Sequence, residues 1–563
     1  MEYENPSVTL KKIKFNNGKE IELNEDDIVI FVGANNVGKS RSLRDIKEDL
    51  IESNRDKIVI KEIEYFEEKL NRESIKKYFE RNYTQEQHSN YNLQIDHDTY
   101  SFNEYNFQEN QMNFKIFYKA LFTMLSTENR LNITAPIQLN NINDRFSLNI
   151  MQNLETDESK IKKLNNFLEK GFKKAIDIDQ EMIIGTFSKT YKIGNKNEID
   201  KTINSTRRDA LQELKKLEEL HEQGDGIRSA IAILAALIVN EHSLFLIDEP
   251  EAFLHPPQAR LLGNNIVELS ENKQCFLATH NIDLIRGILE KNSARVKIVK
   301  INRKNNDNEI FLLNNKDIKK IANDRNLKYT NILNGLFYSK VVLCENESDC
   351  KFYSAILESI NENVYQNTLF CAVGGKDQFK VMVSLLKSLK VDYIIIADID
   401  LINDKDKLKQ LINSIEENKY NEIKDIHNSF LSEFQTKSDS LVKKQSIIKQ
   451  EIDKLYTDDE YMTDETAKRI KEVIKNINSL KLLKTGGKAI LPQGSCISYF
   501  NEIVSFLKQN NVYILECGEI ERFIPEIDLH GNAWVEEVFN KYNNIDDNIY
   551  DSAKKFIKTA FNI

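Results

Sequence analysis

The sequence predicts an α/β protein of two domains, the second built on a parallel sheet. Three observations carry that expectation. An apolar strand, Ile28 to Phe31, runs straight into the loop Gly33 to Ser40. A second apolar strand, LFLID, ends on Asp248–Glu249. Further on, apolar strands in FYSKVVLC, FCAV and VDYIIIA alternate with helical stretches, and the first and third end on acids. Strand, helix, strand, helix, strand reads as a parallel sheet with helices on its faces. At 563 residues the chain is long enough for two or more full cores.

The first element is a pair of short strands, VTLKKIKF and KEIELN, around the turn Asn16–Asn17–Gly18. The loop that follows, GANNVGKS, fits the phosphate-loop pattern of Gly, four residues, Gly, Lys and Ser. Glycines let backbone N–H groups turn inward around phosphate oxygens. Lys39 would reach the outer phosphates and the Ser40 hydroxyl would bind Mg²⁺. The helix after Ser40 points its positive end at the same anion. Gly33, Asn35, Asn36, Gly38, Lys39 and Ser40 are the expected nucleotide contacts. A Gly-rich turn that carries a Lys by accident would match about once in a hundred chains of this length.

From about 52 to 205 the text is polar, rich in Asn and Tyr, and weakly periodic. Helices are expected over Glu62–Phe79, Asn113–Thr127 and Ile161–Ile176, with no chemistry assigned. The pattern sharpens at Gln223, where GDGIRS precedes the apolar helix AIAILAALIV. The strand in HSLFLIDEPEAFLHP then delivers the acidic partner that a phosphate loop requires. Asp248 is expected in the Mg²⁺ shell, and Glu249 as the group that polarises the attacking water. His280, after the strand CFLAT, is the expected γ-phosphate sensor; a cap or core histidine is the plainer alternative. A strand (Val296–Ile301), a second (Glu309–Leu313) and a helix (Lys316–Ala322) lead to a join at 323–336.

In the second half, Glu345 ends one apolar strand, with Glu347 and Asp349 close by. VGGKDQF places a double-Gly turn, Gly374–Gly375, after the next strand. Asp398 and Asp400 end the third. In parallel sheets the functional crevice lies at the carboxyl ends of the strands. Three carboxylates at one edge repel unless a cation is present, and oxygen ligands favour Mg²⁺ or Mn²⁺. Each acid alone would pass for a solvated loop end; the set carries the reading. Between 403 and 490 lies a charged insertion with helices expected at Asp404–Lys419, Ile423–Leu455 and Thr463–Leu483. A last apolar strand in Asn511–Phe523 ends on Glu519 and Glu521.

Bulk composition narrows the class. No apolar run approaches ~20 residues, so no membrane span is expected. The start, MEYENPSVTLKKIKF, has no apolar signal region, and the six Cys show no C-x-x-C pair; a reducing cytoplasm is the expected setting. Net charge is −10, so nucleic acid would have to be held by a local patch or through metal ions.

GANNVGKS, GDGIRSAI, LFLIDEPEAFLHP and ATHN occur in the order of ABC-type ATPases of the SMC/RecF-like kind, which the first half resembles. That resemblance implies heads that dimerise around ATP, with Gly224 and Gly226 matching the signature segment that contacts the partner's nucleotide. The usual Ser-Gly-Gly is Gly-Asp-Gly here. The second half resembles a TOPRIM domain through VVLCENESDCKFY, VGGKDQF and YIIIADID, with Asn346 where the family has Gly. An ATPase joined to a TOPRIM domain resembles the OLD (overcoming lysogenization defect) nucleases and related prokaryotic phage-defence systems. The division implied is an ATPase over 1–335 with a helical insertion about 52–205, and a TOPRIM domain over 336–563 with an insertion about 403–490.

The resemblance further implies two-metal phosphodiester hydrolysis. Glu345, Asp398 and Asp400 would make one metal site, and Asp349 with Glu519 or Glu521 the other. Lys554, or Lys555, is carried over by position as the transition-state cation. ATP and Mg²⁺, or Mn²⁺ at the TOPRIM site, are the implied cofactors. DNA and a second copy of the chain are the implied partners, with a defence-operon partner such as a retron reverse transcriptase as a further one. Two other readings stand beside this. One is a nucleotide-dependent sensor or scaffold whose TOPRIM half binds DNA or an effector. The other is a repair ATPase of the RecF type.

Overall fold

The computed structural model describes residues 5–52, 55–67, 70–82, 85–86, 90–95, 98–102, 114–138, 150–155, 157–178, 188–189, 191–199, 207–292, 294–304, 307–313, 317, 331–438, 445–455, 462–475 and 479–563. They form two compact units, Met1–Tyr329 and Thr330–Ile563.

In the first unit β1 (Thr9–Phe15) pairs antiparallel with β2 (Glu20–Glu22) across the turn at Gly18, whose φ is 82°. The wholly buried strand β3 (Ile28–Val32) ends at the phosphate loop, and α1 (Lys39–Leu50) leaves it. A run of five apolar residues suits a strand covered on both faces. β3 is central in a six-stranded sheet. One neighbour is β7 (Gln274–Ala278), followed outward by β6 (Leu244–Asp248) and β5 (Phe122–Leu125). The other is β8 (Val296–Lys304), then β9 (Asp307–Leu312). All pairs are parallel except β8 with β9. This register puts the ends of β3, β6 and β7 side by side, with Asp248 opposite Ala278.

Three helix expectations in the stretch about 52–205 are corrected. Residues 60–66 form β4 (Ile60–Phe66), paired antiparallel with β1, and helix α2 starts only at Arg72. Within β4, Glu62, Ile63, Glu64 and Tyr65 alternate polar and apolar, which is strand spacing. Residues 114–125 are a 3₁₀ turn and then edge strand β5; α3 (Thr127–Ile133) starts where Asn113–Thr127 was expected to end. The helix over 161–176 runs from Glu158 to Phe172 and gives way to a strand at Ala175–Ile178. The stretch is therefore mixed α and β. The expected helix Lys316–Ala322 and most of the join at 323–336 lie outside the described residues.

The second unit is built on four parallel strands in the order β11 (Thr368–Ala372), β10 (Lys340–Cys344), β12 (Asp392–Asp398), β13 (Val512–Leu515). α7 (Glu347–Ile360) follows β10 and α8 (Phe379–Ser388) follows β11. The core under one face gathers Phe352, Tyr353, Trp534, Tyr550 and Ile557. In the charged insertion the described residues of the expected helix Ile423–Leu455 are helical over Lys424–Ser438 and Gln445–Asp453. Those of the one expected over Thr463–Leu483 are helical over Asp464–Lys475 and in α9 (Ser479–Gly486). Among the described residues no helix is long and apolar enough to cross a membrane.

Candidate nucleotide and metal sites

Gly33 shows why the phosphate loop is written as it is. Its φ is 149°, and a Cβ there would lie 2.2 Å from the Ile301 carbonyl on β8. Only glycine lets the loop turn this close to the neighbouring strand. Gly38 then caps α1 in a left-handed conformation. Lys39 is buried, and its Nζ donates to the carbonyls of Gly33 and Ala34 at 2.9 and 2.8 Å. Burial pulls its ammonium below the ordinary lysine range, with Glu249, Glu251 and Asp248 acting the other way. The Ser40 hydroxyl donates to Asp248 Oδ1 at 2.7 Å across 208 residues of sequence. Burial raises the Asp248 carboxyl, and that hydrogen bond opposes the rise. Asn35 and Asn36 sit exposed at the loop tip.

Glu249 adopts a φ of 46°, and its N–H donates to the Ala278 carbonyl at 2.8 Å. His280 brings Nδ1 to 3.6 Å from Glu249 Oε1 and 3.5 Å from Glu251 Oε1. Glu251 is buried and accepts from Thr279 Oγ1 at 2.7 Å and the His280 N–H at 3.1 Å. The structure thus brings Lys39, Ser40, Asp248, Glu249 and His280 to one sheet edge. Glu251 stands among them, a residue with no expected role in the sequence pattern. Gly224 and Gly226 open helix α4 (Asp225–Val239), with Gly224 as its N-cap.

In the second unit Glu345, Asp398 and Asp400 meet as expected. One carboxylate oxygen from each lies within 4.8 Å of the others. Asp398 N–H donates to Glu345 Oε1 at 3.3 Å. Glu345 is pushed from the ordinary 4.5 up to about 8, first by burial and then by the Asp398 charge. Asp349 caps α7 through the Asn346 N–H, 3.0 Å from its Oδ2. Its carboxyl rises to about 6, by burial and then Asp398. Asn346 has φ −131°, extended backbone, so the turn has no need of the family's glycine. Glu519, Glu521 and His530 form a second group within the same 4.8 Å limit. Glu519 is buried, and its Oε1 has no hydrogen-bond partner. Glu521 Oε1 accepts from the Gly531 N–H at 2.8 Å.

Two lysines stand among these acids. Lys376, from the turn after Gly375, contacts Asp400 and lies 3.9 Å from Glu345 Oε1. Lys484, from α9, lies 2.8 Å from Asp398 Oδ2 and 3.8 Å from Glu519 Oε2. Burial works against the charge on Lys484, but Asp398, Asp400 and Glu345 outweigh it and hold the ammonium above the lysine range. Gly518, with φ 121°, allows this approach: a Cβ there would sit 2.1 Å from the Lys484 carbonyl. Lys554, on α10 (Asp551–Phe561), pairs through Nζ with Asp546 at 3.3 Å. Among the described residues, lysines 376 and 484 are the ones within ion-pair distance of the clustered carboxylates. Carry-over by position named a C-terminal lysine; the long-range folding of α9 and the double-Gly turn supplies others.

The donor set suits hard divalent cations. It is almost entirely carboxylate oxygen, Glu345, Asp349, Asp398 and Glu519 are raised by burial and by neighbouring acids, and the buried Glu519 Oε1 has no hydrogen-bond partner. In the first unit the loop amides, Lys39 and the Ser40–Asp248 pair suit a nucleoside triphosphate with its metal.

Comparison with known proteins agrees with this division. Residues 28–286 match the AAA domain family described as putative AbiEii toxin, type IV toxin–antitoxin system. Residues 336–400 match the overcoming lysogenization defect protein-like TOPRIM domain. The Old nuclease of Escherichia phage P2 is 25% identical over 169 residues, 29% of this chain and 28% of that protein. Endonuclease GajA of Bacillus cereus (strain VD045) is 27% identical over 168 residues, 29% of this chain and 27% of that protein. The match thus spans less than a third of the length of each of these two relatives. The SMC head domain from Thermotoga maritima overlays 55% of this chain and 100% of its own, at 11% identity and a TM-score of 0.29.

Proposed function

We propose, for a chain that joins an AAA-type ATPase domain to an OLD-like TOPRIM domain and so has the layout of the OLD family, that it is an ATP-regulated, divalent-metal-dependent DNA endonuclease of phage defence. The observation that carries this is the meeting of Glu345, Asp398 and Asp400 at the carboxyl ends of β10 and β12. The likeness to two named nucleases supports the reaction class.

Glu345, Asp398 and Asp400 would hold one ion, and Asp349, Glu519 and Glu521 a second. Such ions supply an activated water and charge neutralisation of the phosphodiester. The chain's own contribution is distinct from theirs. The sheet fixes the carboxylates on adjacent strand ends, and Asp349 is held by its cap. Lys376 and Lys484 bring positive charge to the place where a phosphodiester would lie and offset the anionic crowd that would repel it. In the other unit the loop amides and Lys39 would bind the triphosphate, and Ser40 with Asp248 its metal. Glu249 would orient and polarise water, and His280 would sense the outer phosphate. Two copies joined through their ATPase heads, with Gly224 and Gly226 at the partner's nucleotide, are the assembly that this reading needs. Nucleotide state would then control access to the nuclease site.

The test is nicking of supercoiled plasmid with Mg²⁺ or Mn²⁺, with and without ATP. Glu345→Ala and Asp398→Ala should each abolish cleavage. Cleavage that survives both substitutions rejects the site.

A further inference from the structure

Arg130 lies on α3, in the stretch that gave no chemistry to sequence reading, yet it is fully buried. Arginine is almost never wholly buried unless its planar fork is paired. Its Nη1 donates to the carbonyl of Asp248 at 2.6 Å, and its Nη2 to the carbonyl of Glu249 at 3.0 Å. A longer contact, 3.5 Å, runs from Nη2 to Thr127 Oγ1. Nε has no hydrogen-bond partner, so the fork on those two carbonyls is the main polar anchor of the side chain.

Those carbonyls belong to the two residues that would do the metal and water chemistry. Glu249 sits at φ 46°, a left-handed conformation that a Glu adopts at some cost. Its side chain is 42% exposed and comes only within 3.6 Å of His280. Its direction is therefore set by its backbone, and Arg130 grips that backbone on both sides of the Glu249 Cα. The Glu249 N–H, bonded to Ala278, completes the hold.

The same helix is fastened from the other side. Arg228, in the first turn of α4, donates from Nη2 to the Leu131 carbonyl at 2.9 Å and from Nε to Thr134 Oγ1 at 3.1 Å. Helix α3 thus stands between the N-terminal turn of α4 and the Asp248–Glu249 turn.

We infer that Arg130 is a positioning residue for ATP hydrolysis: its guanidinium fork holds the Asp248–Glu249 turn so that Glu249 is aimed at the attacking water, and Arg228 ties that hold to the start of α4. The inference rests on the nucleotide site proposed above. None of the hydrogen bonds of Arg130 goes to the loop Gly33–Ser40, so its effect falls on the step after nucleotide has bound. Burial lowers the guanidinium to about 10, against the pull of Glu251, Asp248 and Glu249, which leaves it charged near neutrality.

The experiment uses the full chain, with phosphate release for turnover and a fluorescent ATP analogue for binding. Arg130→Lys keeps the charge but cannot give two parallel N–H groups to two carbonyls. It should lower kcat by about 10- to 100-fold, the usual cost of a small misalignment. Nucleotide Kd and KM should stay within about twofold of wild type. Arg228→Gln leaves the buried arginine in place and should lower kcat alone, by about 3- to 10-fold. In a Glu249→Gln background, Arg130→Lys should add no further loss. Either of two results overturns the inference: kcat unchanged in both single variants, or binding weakened as much as turnover. If Arg130→Lys does not fold, as judged by melting, Arg228→Gln decides alone. A wild-type chain that neither binds nor hydrolyses ATP would instead sink the nucleotide reading.

Discussion

The two sheet edges answer opposite electrostatic demands. At the ends of β3 and β6 a glycine-bent loop and one buried lysine lie together, and Glu249, Glu251 and Asp248 supply the facing negative charge. At the ends of β10, β12 and β13 there is no such cradle; acids crowd instead, and burial holds Glu345, Asp349, Asp398 and Glu519 above their ordinary carboxyl range. On the function proposed above, the first edge would receive an anion and the second cations. A chain of net charge −10 would then hold two polyanions, one through amides and one through ions.

The sharpest way to break that comparison is to change charge at one edge and read both. Asp398→Asn keeps size and removes one anion. DNA cleavage should fall by about 100-fold or more, as for loss of a group that stabilises transition-state charge. ATP turnover should stay within about twofold. Lys39→Ala should do the reverse, ending nucleotide binding while Mn²⁺ still binds at the acidic edge. A variant that empties both sites together would mean that the two edges are not separate devices.

Much of this contrast was legible along the chain, because each edge is announced by a strand and the few residues after it. The phosphate loop, Asp248–Glu249, Glu345 and Asp398–Asp400 all begin at a strand end or one residue after it, where local pattern and local chemistry coincide. What stayed hidden depends on distance in sequence. Arg130 meets Asp248 across 118 residues, and its helix was misread because the short strand β5 before it looked like part of a helix. Lys484 comes to Asp398 from the charged insertion, where no site residue was expected. Glu251 was in plain sight in DEPE, but only the folded contact with Thr279 and His280 separates it from a turn acid.

Gly518→Ala tests how far the cation-receiving edge depends on backbone approach. The substitution meets a left-handed φ of 121° and a carbonyl 2.1 Å from the new Cβ. A loss of about 1–3 kcal/mol is expected. Cleavage should fall with it as Lys484 moves off Asp398. Normal melting and normal cleavage together would show that α9 is not positioned by this contact.

A gentler probe is pH. Because the folded carboxyl of Glu345 lies at about 8 against an ordinary 4.5, the folded chain holds its proton more tightly than the unfolded chain. Its contribution to stability is complete below pH 4.5 and is lost as pH rises through about 8. In EDTA, wild type should therefore lose melting temperature relative to Glu345→Gln across that window, by about 2–4 °C per kcal/mol. Mg²⁺ should return the loss at the upper end, since an ion binds the ionised form. A difference that stays flat with pH would mean that the acids are not crowded enough to need a cation.

The smallest effect is expected at Lys554, which separates the two lysine assignments. Its Nζ pairs with Asp546, whose side chain is 79% exposed. An ion pair of that kind is worth under about 1 kcal/mol. Lys554→Ala should thus leave cleavage within about threefold of wild type, while Lys484→Ala costs about tenfold or more, the range for losing a charged group at a reacting phosphate. The two variants differ in one contact that matters, since only Lys484 reaches Asp398 and Glu519. The reverse order, with Lys554→Ala inactive and Lys484→Ala active, would return the cation to α10. Metal affinity measured on both variants tells the causes apart. A lysine that touches DNA lowers turnover and leaves the ions bound, whereas one that only neutralises the acids changes how tightly the ions are held.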